Sequence, residues 1–272
     1  MYKIVSMSKL TTLGIGGNAK IFDVTSESQL EDLLSVDSFV LGNGSNILAS
    51  DSEIKKPILR NRLTKYEYLG NYLKAQSGCN MTKLAKDSAN KGLSGLEWAY
   101  GLPATVGGAT FMNAGAFSNS VSDCVEEVEV FKNGEIKRLS VDECKFSYRS
   151  SSFTKNDFIT SVTFRLKPLH KDLCLKELYK IQSKRKVQPS GKSAGCVYKA
   201  VGKGSGYYID RAGLKGEREG DIFVSPIHAG FFINAGNGTA KQMLKLMEKV
   251  EKKVIREFGI QLEREIILVG DF

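Results

Sequence analysis

The chain has 272 residues, is 42% hydrophobic and carries 39 Lys and Arg against 30 Asp and Glu, a formal charge of +9. That length supports a substantial core, and a prior of roughly 100–200 residues per domain favours two domains. Cys79, Cys124, Cys144, Cys174 and Cys196 form no CxxC and no even set, which speaks against a disulfide framework or a zinc site and for a reducing cytoplasm; no signal-peptide core and no run of about 18 apolar residues points to a membrane.

In chain order, "VTSESQLEDLLS" sets polar starters before Leu30, Leu33 and Leu34 at helical spacing and predicts a helix. The apolar pair Phe39-Val40 then reads as a strand running into the glycine turn "LGNGSN". From about Ile54 to Ala75 the chain is strand-rich, and "MTKLAKDSANKG" predicts a helix ending at Gly92. "GLPATVGGATFMNAGAF", residues 101–117, holds too many glycines for a regular element.

"EVEVFKNGEIKRL" predicts a hairpin: Val128 and Val130 alternate with charges, Asn133-Gly134 supplies a type I′ turn, and Ile136 starts the return strand. "SVTFRLKP" alternates as well, with Val162, Phe164 and Leu166 on one face until Pro168 stops it. Composition shifts there, "HKDLCLKELYKIQSKRK" opens as a helix, and a domain boundary is expected near residue 168. In the last helix Thr239 and Gln242 form a capping box, Met243, Met247, Val250, Val254 and Phe258 form an apolar stripe, and Gly259 is the stop. "QLEREIILVG" follows as a strand. Lys241, Lys245, Lys249, Lys252, Lys253 and Arg256 put much of the excess charge on this helix; with no aromatic residues between them they read as a solvated face, and no nucleic acid partner is expected.

Two glycine stretches carry the chemical interest. In "GNGSN", Gly42 to Asn46, the glycines would let consecutive N–H groups turn toward an anion while Ser45 and Asn46 add donors. The stretch is neither a Walker loop nor a Rossmann fingerprint, and alone it equally fits a turn between strands. Residues 101–117 add Ala104, Ala109, Ala114 and Ala116 to their glycines, so backbone can come close to a large flat ligand, and Asn113 offers an amide. Two such loops suggest one extended cofactor. A third stretch, "KSAGCVYK" at 192–199, sets Cys196 behind small residues; alone, that thiol reads as a small buried hydrophobe.

Seven segments in order, "TTLGIGGNA", "LGNGSNIL", "GLEWAYGLPATVGGATFMNAGAF", "FSYRSSSF", "SAGCVYK", "GYYIDRAGLKGEREGDIFVSPIHAGFFIN" and "FGIQLEREI", make the chain resemble the UDP-N-acetylenolpyruvoylglucosamine reductases of bacterial peptidoglycan synthesis. The short link from "SAGCVYK" to "YYID" is similar to the shorter of two family types. The resemblance implies an α+β protein: a two-lobed FAD-binding region of the vanillyl-alcohol-oxidase (PCMH) type over 1–168, with lobes of about 1–50 and 51–168, then an α/β substrate-binding domain over 169–272 whose last strand, 260–272, returns toward the active site. Hydride would pass from NADPH to FAD and from the reduced flavin N5 to the enolpyruvyl double bond of UDP-N-acetylglucosamine enolpyruvate, giving UDP-N-acetylmuramate. The implied partners are the UDP-sugar and NADPH, with no membrane, no metal and a monomeric state.

By motif match the resemblance implies that Arg149 and Glu265 attend the charge developing on the enolpyruvyl carboxylate, and that Cys196, where most members have serine, donates the proton. A thiol of reference pKa about 8.5 stays protonated at neutral pH yet is far more acidic than an alcohol. Gly42, Asn43, Gly44, Ser45, Asn46, Pro103, Gly107, Gly108, Asn113, Gly115, Ala116 and Tyr148 would face FAD. Lys199, Lys215, His228 and Asn234 would face substrate, Lys215 and His228 at its diphosphate. The chain departs from the family pattern at Lys199-Ala200-Val201, at Glu265-Ile266-Ile267, at Leu102-Pro103-Ala104 and at His228-Ala229-Gly230-Phe231, where the family has Lys-Asn-Pro or Lys-Arg-Pro, Glu-Val-Arg, Ile-Pro-Gly and His-Ala-Asn-Phe. Other readings are a flavin oxidase on the same cofactor fold, which has no use for the Arg149, Cys196 and Glu265 set, and a basic RNA- or nucleotide-binding protein, which leaves both glycine loops unexplained.

Overall fold

The computed structural model describes residues 1–34 and 37–272; Ser35, the end of the first expected helix, lies outside the described residues. The chain forms two compact units. One comprises Met1–Tyr2, Ile21–Asn43 and Pro57–Val187; the other comprises Lys3–Lys20, Gly44–Lys56 and Gln188–Phe272. This division differs from a break near residue 168 with a first lobe ending near 50. The helix Lys171–Lys186 stays with the first unit because Cys174 and Leu178 pack with Ala89. Leu13, Ile15 and Leu48 join the second because they are buried in its core.

The first unit is built on a five-stranded antiparallel sheet in the order Glu135–Ser140, Val125–Lys132, Phe158–Arg165, Tyr72–Gln76, Tyr66–Leu69. The expected hairpin is its outer pair, with Phe131 opposite Ile136 and positive φ at Asn133 (55°) and Gly134 (83°), as a type I′ turn demands. The central strand departs from alternation: every residue from Phe158 to Val162 is buried. Its polar members tolerate this because the Thr160 hydroxyl donates to the Glu129 carbonyl at 3.2 Å and that of Ser161 to the Glu129 carboxylate at 2.5 Å.

The strand-rich stretch resolves into Ile54–Asn61 and the two strands Tyr66–Leu69 and Tyr72–Gln76; Phe39–Leu41 lies parallel to Ile58–Arg60. The helix Met81–Asn90 starts where the Asn80 side chain accepts from Lys83 N–H, and Gly92 follows it at φ 70°. The described part of the first expected helix is one 3-10 turn, Glu27–Gln29, followed by the α segment Leu30–Leu34. Within 101–117 the chain does form a helix, Val106–Phe111. The Thr105 side chain accepts from Gly108 N–H, and Gly107 packs so close to Ser77 that a Cβ there would be 2.8 Å from the serine Cβ. Tertiary contact supplies what the glycines' own propensity withholds.

The second unit packs the helix Ala240–Phe258 with a small antiparallel sheet in the order Arg218–Glu219, Ile222–Val224, Phe232–Asn234. Met243, Leu246, Met247, Val250 and Val254 are fully buried, whereas Phe258 is 38% exposed and Leu246 takes its place in the stripe. The capping box forms as expected, and Gly259 ends the helix at φ 67°. The lysine face is partly neutralised by its own unit: Lys245 pairs with Glu219 at 2.6 Å and Lys249 with Glu217 at 2.5 Å. Of the expected final strand only Ile267–Val269 is regular, parallel to Ile47–Ala49. No helix among the described residues is long and apolar enough to cross a membrane.

Candidate active site

In the first unit Gly42 and Asn43, the start of one glycine stretch, touch the other. A Cβ on Gly42 would lie 2.5 Å from Thr105 Oγ1, and Asn43 Nδ2 donates to the Pro103 carbonyl at 2.9 Å. This closeness is why only glycine fits at 42. Among the described residues the N–H groups of Asn43, Gly44 and Ser45 donate to no protein acceptor. A run of free N–H groups beside a side-chain-free backbone suits a pyrophosphate, so the loop fits the group expected of it.

The rest of the first unit's set is held by the second glycine loop. Asn113, buried at φ 41°, donates from Nδ2 to the Ser147 carbonyl at 2.9 Å and accepts at Oδ1 from Ser122 N–H at 3.1 Å. Its amide, expected to meet a cofactor, ties the glycine loop to the turn carrying Tyr148 and Arg149. Arg149, itself at φ 54°, donates from Nη2 to the Gly115 carbonyl at 2.8 Å, and its guanidinium lies 5.3 Å from the exposed Tyr148 ring. Gly115 and Ala116 pair with Ser120 and Asn119; a Cβ on Gly115 would be 2.5 Å from the Asn119 carbonyl. Gly107 is buried and Gly108 and Pro103 are exposed.

Sequence reasoning missed a clamp on this loop. Arg185 donates from Nη2 to the Trp98 carbonyl at 2.9 Å, and the Phe117 ring lies 5.2 Å from both Arg185 and Lys184. Burial lowers the Arg185 pKa from its ordinary value. Phe117 and Ser118 both hold positive φ, 55° and 67°. Nothing in the polar run "SKRK" signals such a contact.

In the second unit, residues 196–199 lie between two segments. Cys196 bridges to Phe231, and Val197 N–H donates to the Gly230 carbonyl at 2.9 Å. On the other side Glu265 N–H donates to the Val197 carbonyl at 2.8 Å, and Asn46 Nδ2 reaches the Glu265 carbonyl at 3.0 Å. Cys196, His228 and Glu265 are thus gathered in one unit, while Arg149 belongs to the other. His228 Nδ1 accepts from Gly230 N–H at 3.0 Å. Cys79, Cys124, Cys144 and Cys174 are buried and Cys196 only partly so. Burial pushes the thiols of Cys79 and Cys144 up to about 11 and that of Cys124 to about 12, which makes those three inert packing groups.

The expected substrate residues divide. Lys199 pairs with Glu263 at 2.5 Å and Lys215 with Asp210 at 2.8 Å, each on the surface of the unit. Asn234 is 3% exposed; it donates to the Leu13 carbonyl at 3.0 Å and accepts from Gly236 and Gly238 N–H at 2.9 Å. Its amide is hydrogen-bonded within the fold.

A family model described as FAD binding domain matches residues 23–140, so this is an FAD-binding flavoprotein of α+β architecture. A second model, UDP-N-acetylenolpyruvoylglucosamine reductase C-terminal domain, matches residues 187–269, beginning one residue before the second unit's last segment. A UDP-N-acetylenolpyruvoylglucosamine reductase of Thermus thermophilus is 36% identical over 265 residues, 96% of this chain and 97% of that one. The enzyme of the same description from Clostridium novyi is 36% identical over 284 residues, covering 98% and 91%. The crystal structure of the reductase from Thermus caldophilus superposes with a TM-score of 0.91 at 34% identity, over 99% of each chain. The chain belongs to the UDP-N-acetylenolpyruvoylglucosamine reductase family.

Proposed function

We propose that the protein reduces the enolpyruvyl group of UDP-N-acetylglucosamine enolpyruvate to UDP-N-acetylmuramate with NADPH, a step of peptidoglycan precursor synthesis carried out by a cytoplasmic monomer. The end-to-end likeness to the Thermus thermophilus reductase, 36% identity over 97% of its length, carries the reaction class. Bound FAD supplies the hydride relay between NADPH and substrate.

The chain's own residues do the rest. The free N–H groups of Asn43, Gly44 and Ser45 hold the cofactor's pyrophosphate, with Gly42, Asn46, Pro103, Gly107, Gly108, Gly115, Ala116 and Tyr148 around the cofactor and Asn113 fixing its loop. Arg149 stabilises negative charge as it builds on the enolpyruvyl carboxylate, and Glu265 orients that end of the substrate. Cys196 gives its S–H proton to the adjoining carbon. Lys215 and His228 take the diphosphate, Lys215 exchanging its pairing with Asp210 for it, and Lys199 does the same with Glu263. Asn234 braces the substrate side from within the core.

The test is a single turnover without oxygen: reduce the purified yellow protein with NADPH, mix it with the enolpyruvyl sugar nucleotide and follow flavin reoxidation. Reoxidation dependent on that substrate is expected. None would overturn the substrate, and a protein that cannot take up FAD would overturn the class.

A further inference from the structure

We propose that Thr12 is a positioning residue for Cys196, its hydroxyl pinning the loop that leads into the thiol. The proposal rests on the reading of Cys196 as proton donor. Thr12 Oγ1 donates to the Ser193 carbonyl at 2.6 Å, 181 positions further along the chain. The Thr12 backbone N–H donates to the Gly44 carbonyl at 3.0 Å. Within the second unit, one residue thus meets the glycine stretch through its main chain and the cysteine loop through its side chain.

The loop has little else to hold it. Among the described residues the backbone of Ser193, Ala194 and Gly195 makes a single hydrogen bond, the one from Thr12. Both flanks are fixed: the Lys192 carbonyl accepts from Asn234 N–H at 2.9 Å, and Val197 donates to the Gly230 carbonyl at 2.9 Å and accepts from Glu265 N–H at 2.8 Å. Between them Ala194 packs in the core, but Gly195 sits at φ 73° with nothing within 4 Å of where a Cβ would be. Packing therefore leaves the approach to Cys196 unset on that side, and the Thr12 bond sets it. The same bond closes a circuit. Asn46 donates from Nδ2 to the Glu265 carbonyl at 3.0 Å, Glu265 N–H donates to Val197, and Thr12 joins Ser193 back to Gly44. Threonine suits the place because its branched Cβ restricts side-chain rotation, so little freedom is lost in holding the hydroxyl on one carbonyl.

Thr12→Val keeps the branched shape and the backbone N–H but removes the donor, whereas Thr12→Ser keeps the donor. Four quantities are compared with the native chain: FAD affinity, flavin reduction by NADPH, single-turnover flavin reoxidation by substrate, and iodoacetamide alkylation of Cys196 in the FAD-loaded enzyme, mapped by mass spectrometry. Thr12→Val should slow reoxidation about tenfold and speed alkylation by about threefold or more. FAD affinity and flavin reduction should stay within about twofold, because the main chain makes the bond to Gly44. Thr12→Ser should restore both altered rates. In the Cys196→Ala background Thr12→Val should slow reoxidation no further. A full tenfold loss in that background, no rescue by serine, or unchanged alkylation would overturn the proposal. If Cys196→Ala alone reoxidises normally the proton-donor reading fails, and the alkylation rate then decides whether Thr12 positions the thiol. Should Thr12→Val not fold, Thr12→Ala takes its place with the same expectations; failure of both to take up FAD would overturn the proposal, since the hydroxyl would then hold the fold and not the loop.

Discussion

The backbone N–H of Glu265 donates to the carbonyl of Val197 across 2.8 Å, so the residue following the half-buried thiol is locked to the residue carrying the carboxylate. Two stretches more than sixty positions apart in the chain are thereby held in one register, with Asn46 Nδ2 bound to the Glu265 carbonyl from a third. The arrangement makes Cys196 the first residue to test. Cys196→Ser should keep much of the turnover. Cys196→Ala should lose on the order of 10²–10⁴-fold in flavin reoxidation by substrate while NADPH still reduces the flavin, measured by stopped-flow absorbance. Normal reoxidation in the alanine variant would leave the thiol a packing group.

Gly42→Ala should loosen the cofactor. Its Cβ would be 2.5 Å from Thr105 Oγ1, the atom that caps the Val106–Phe111 helix, so either the cap or the glycine turn must give. A weakening of FAD affinity by about tenfold, about 1.4 kcal/mol, is expected in a flavin-fluorescence titration. Unchanged affinity would show that the two loops can part without cost.

The N-terminus of the helix Ala240–Phe258 is satisfied twice, by Thr239 capping Gln242 N–H and by Asp51, whose carboxylate accepts from Ala240 and Lys241 N–H at 2.8 and 3.1 Å. Thr239→Ala should cost about 1 kcal/mol. In a thermal melt that reads as a midpoint lowered by about 2–4 °C. Asp51→Asn keeps an acceptor but removes the negative charge from the positive end of the helix, and should lower the midpoint by a smaller amount.

Asp23 and Arg60 form a two-point pair, Nε to Oδ1 at 2.6 Å and Nη2 to Oδ2 at 2.8 Å. The Arg60 hydrogen bond holds the Asp23 carboxyl below its ordinary pKa, and the charges of Arg60 and Arg62 add to this against the opposing effect of burial. A depressed folded-state pKa contributes stability above the unfolded value, about 3.9, and loses it as pH falls through the folded value. The gap in stability between the native chain and Asp23→Asn should therefore be flat near neutrality and close below about pH 4. A gap that instead widens toward acid in denaturant titrations would contradict the pairing.

Local signals explain which elements were legible. The Asn133-Gly134 turn, the Thr239 to Gln242 capping box and the Gly92 and Gly259 stops all act within four residues, so their chemistry is complete in the sequence and each is found in place. The start of the Val106–Phe111 helix was not legible because the N–H groups of Val106 and Gly107 are met by the Cys79 and Ser77 carbonyls, at 2.9 and 2.7 Å, from well before them in the chain. Phe258 fitted the period of the apolar stripe, yet the last turn of the helix extends past the core and leaves it 38% exposed. The amides of Asn113 and Asn234 show the same limit for the site. Sequence marks both as hydrogen-bonding groups but not the partners, and both are taken by backbone that arrives from elsewhere in the chain.

The α+β flavoprotein reading rested on seven motifs that resemble the reductase family, while cap residues, the Asn133-Gly134 turn and alternation, which depend only on neighbouring positions, made individual elements legible. The folded chain alone decided that residues 3–20 and 44–56 build the second unit and that Arg185 clamps Phe117. Each of these depends on close packing between distant segments, where a difference of one methyl group is felt and no periodic pattern records it.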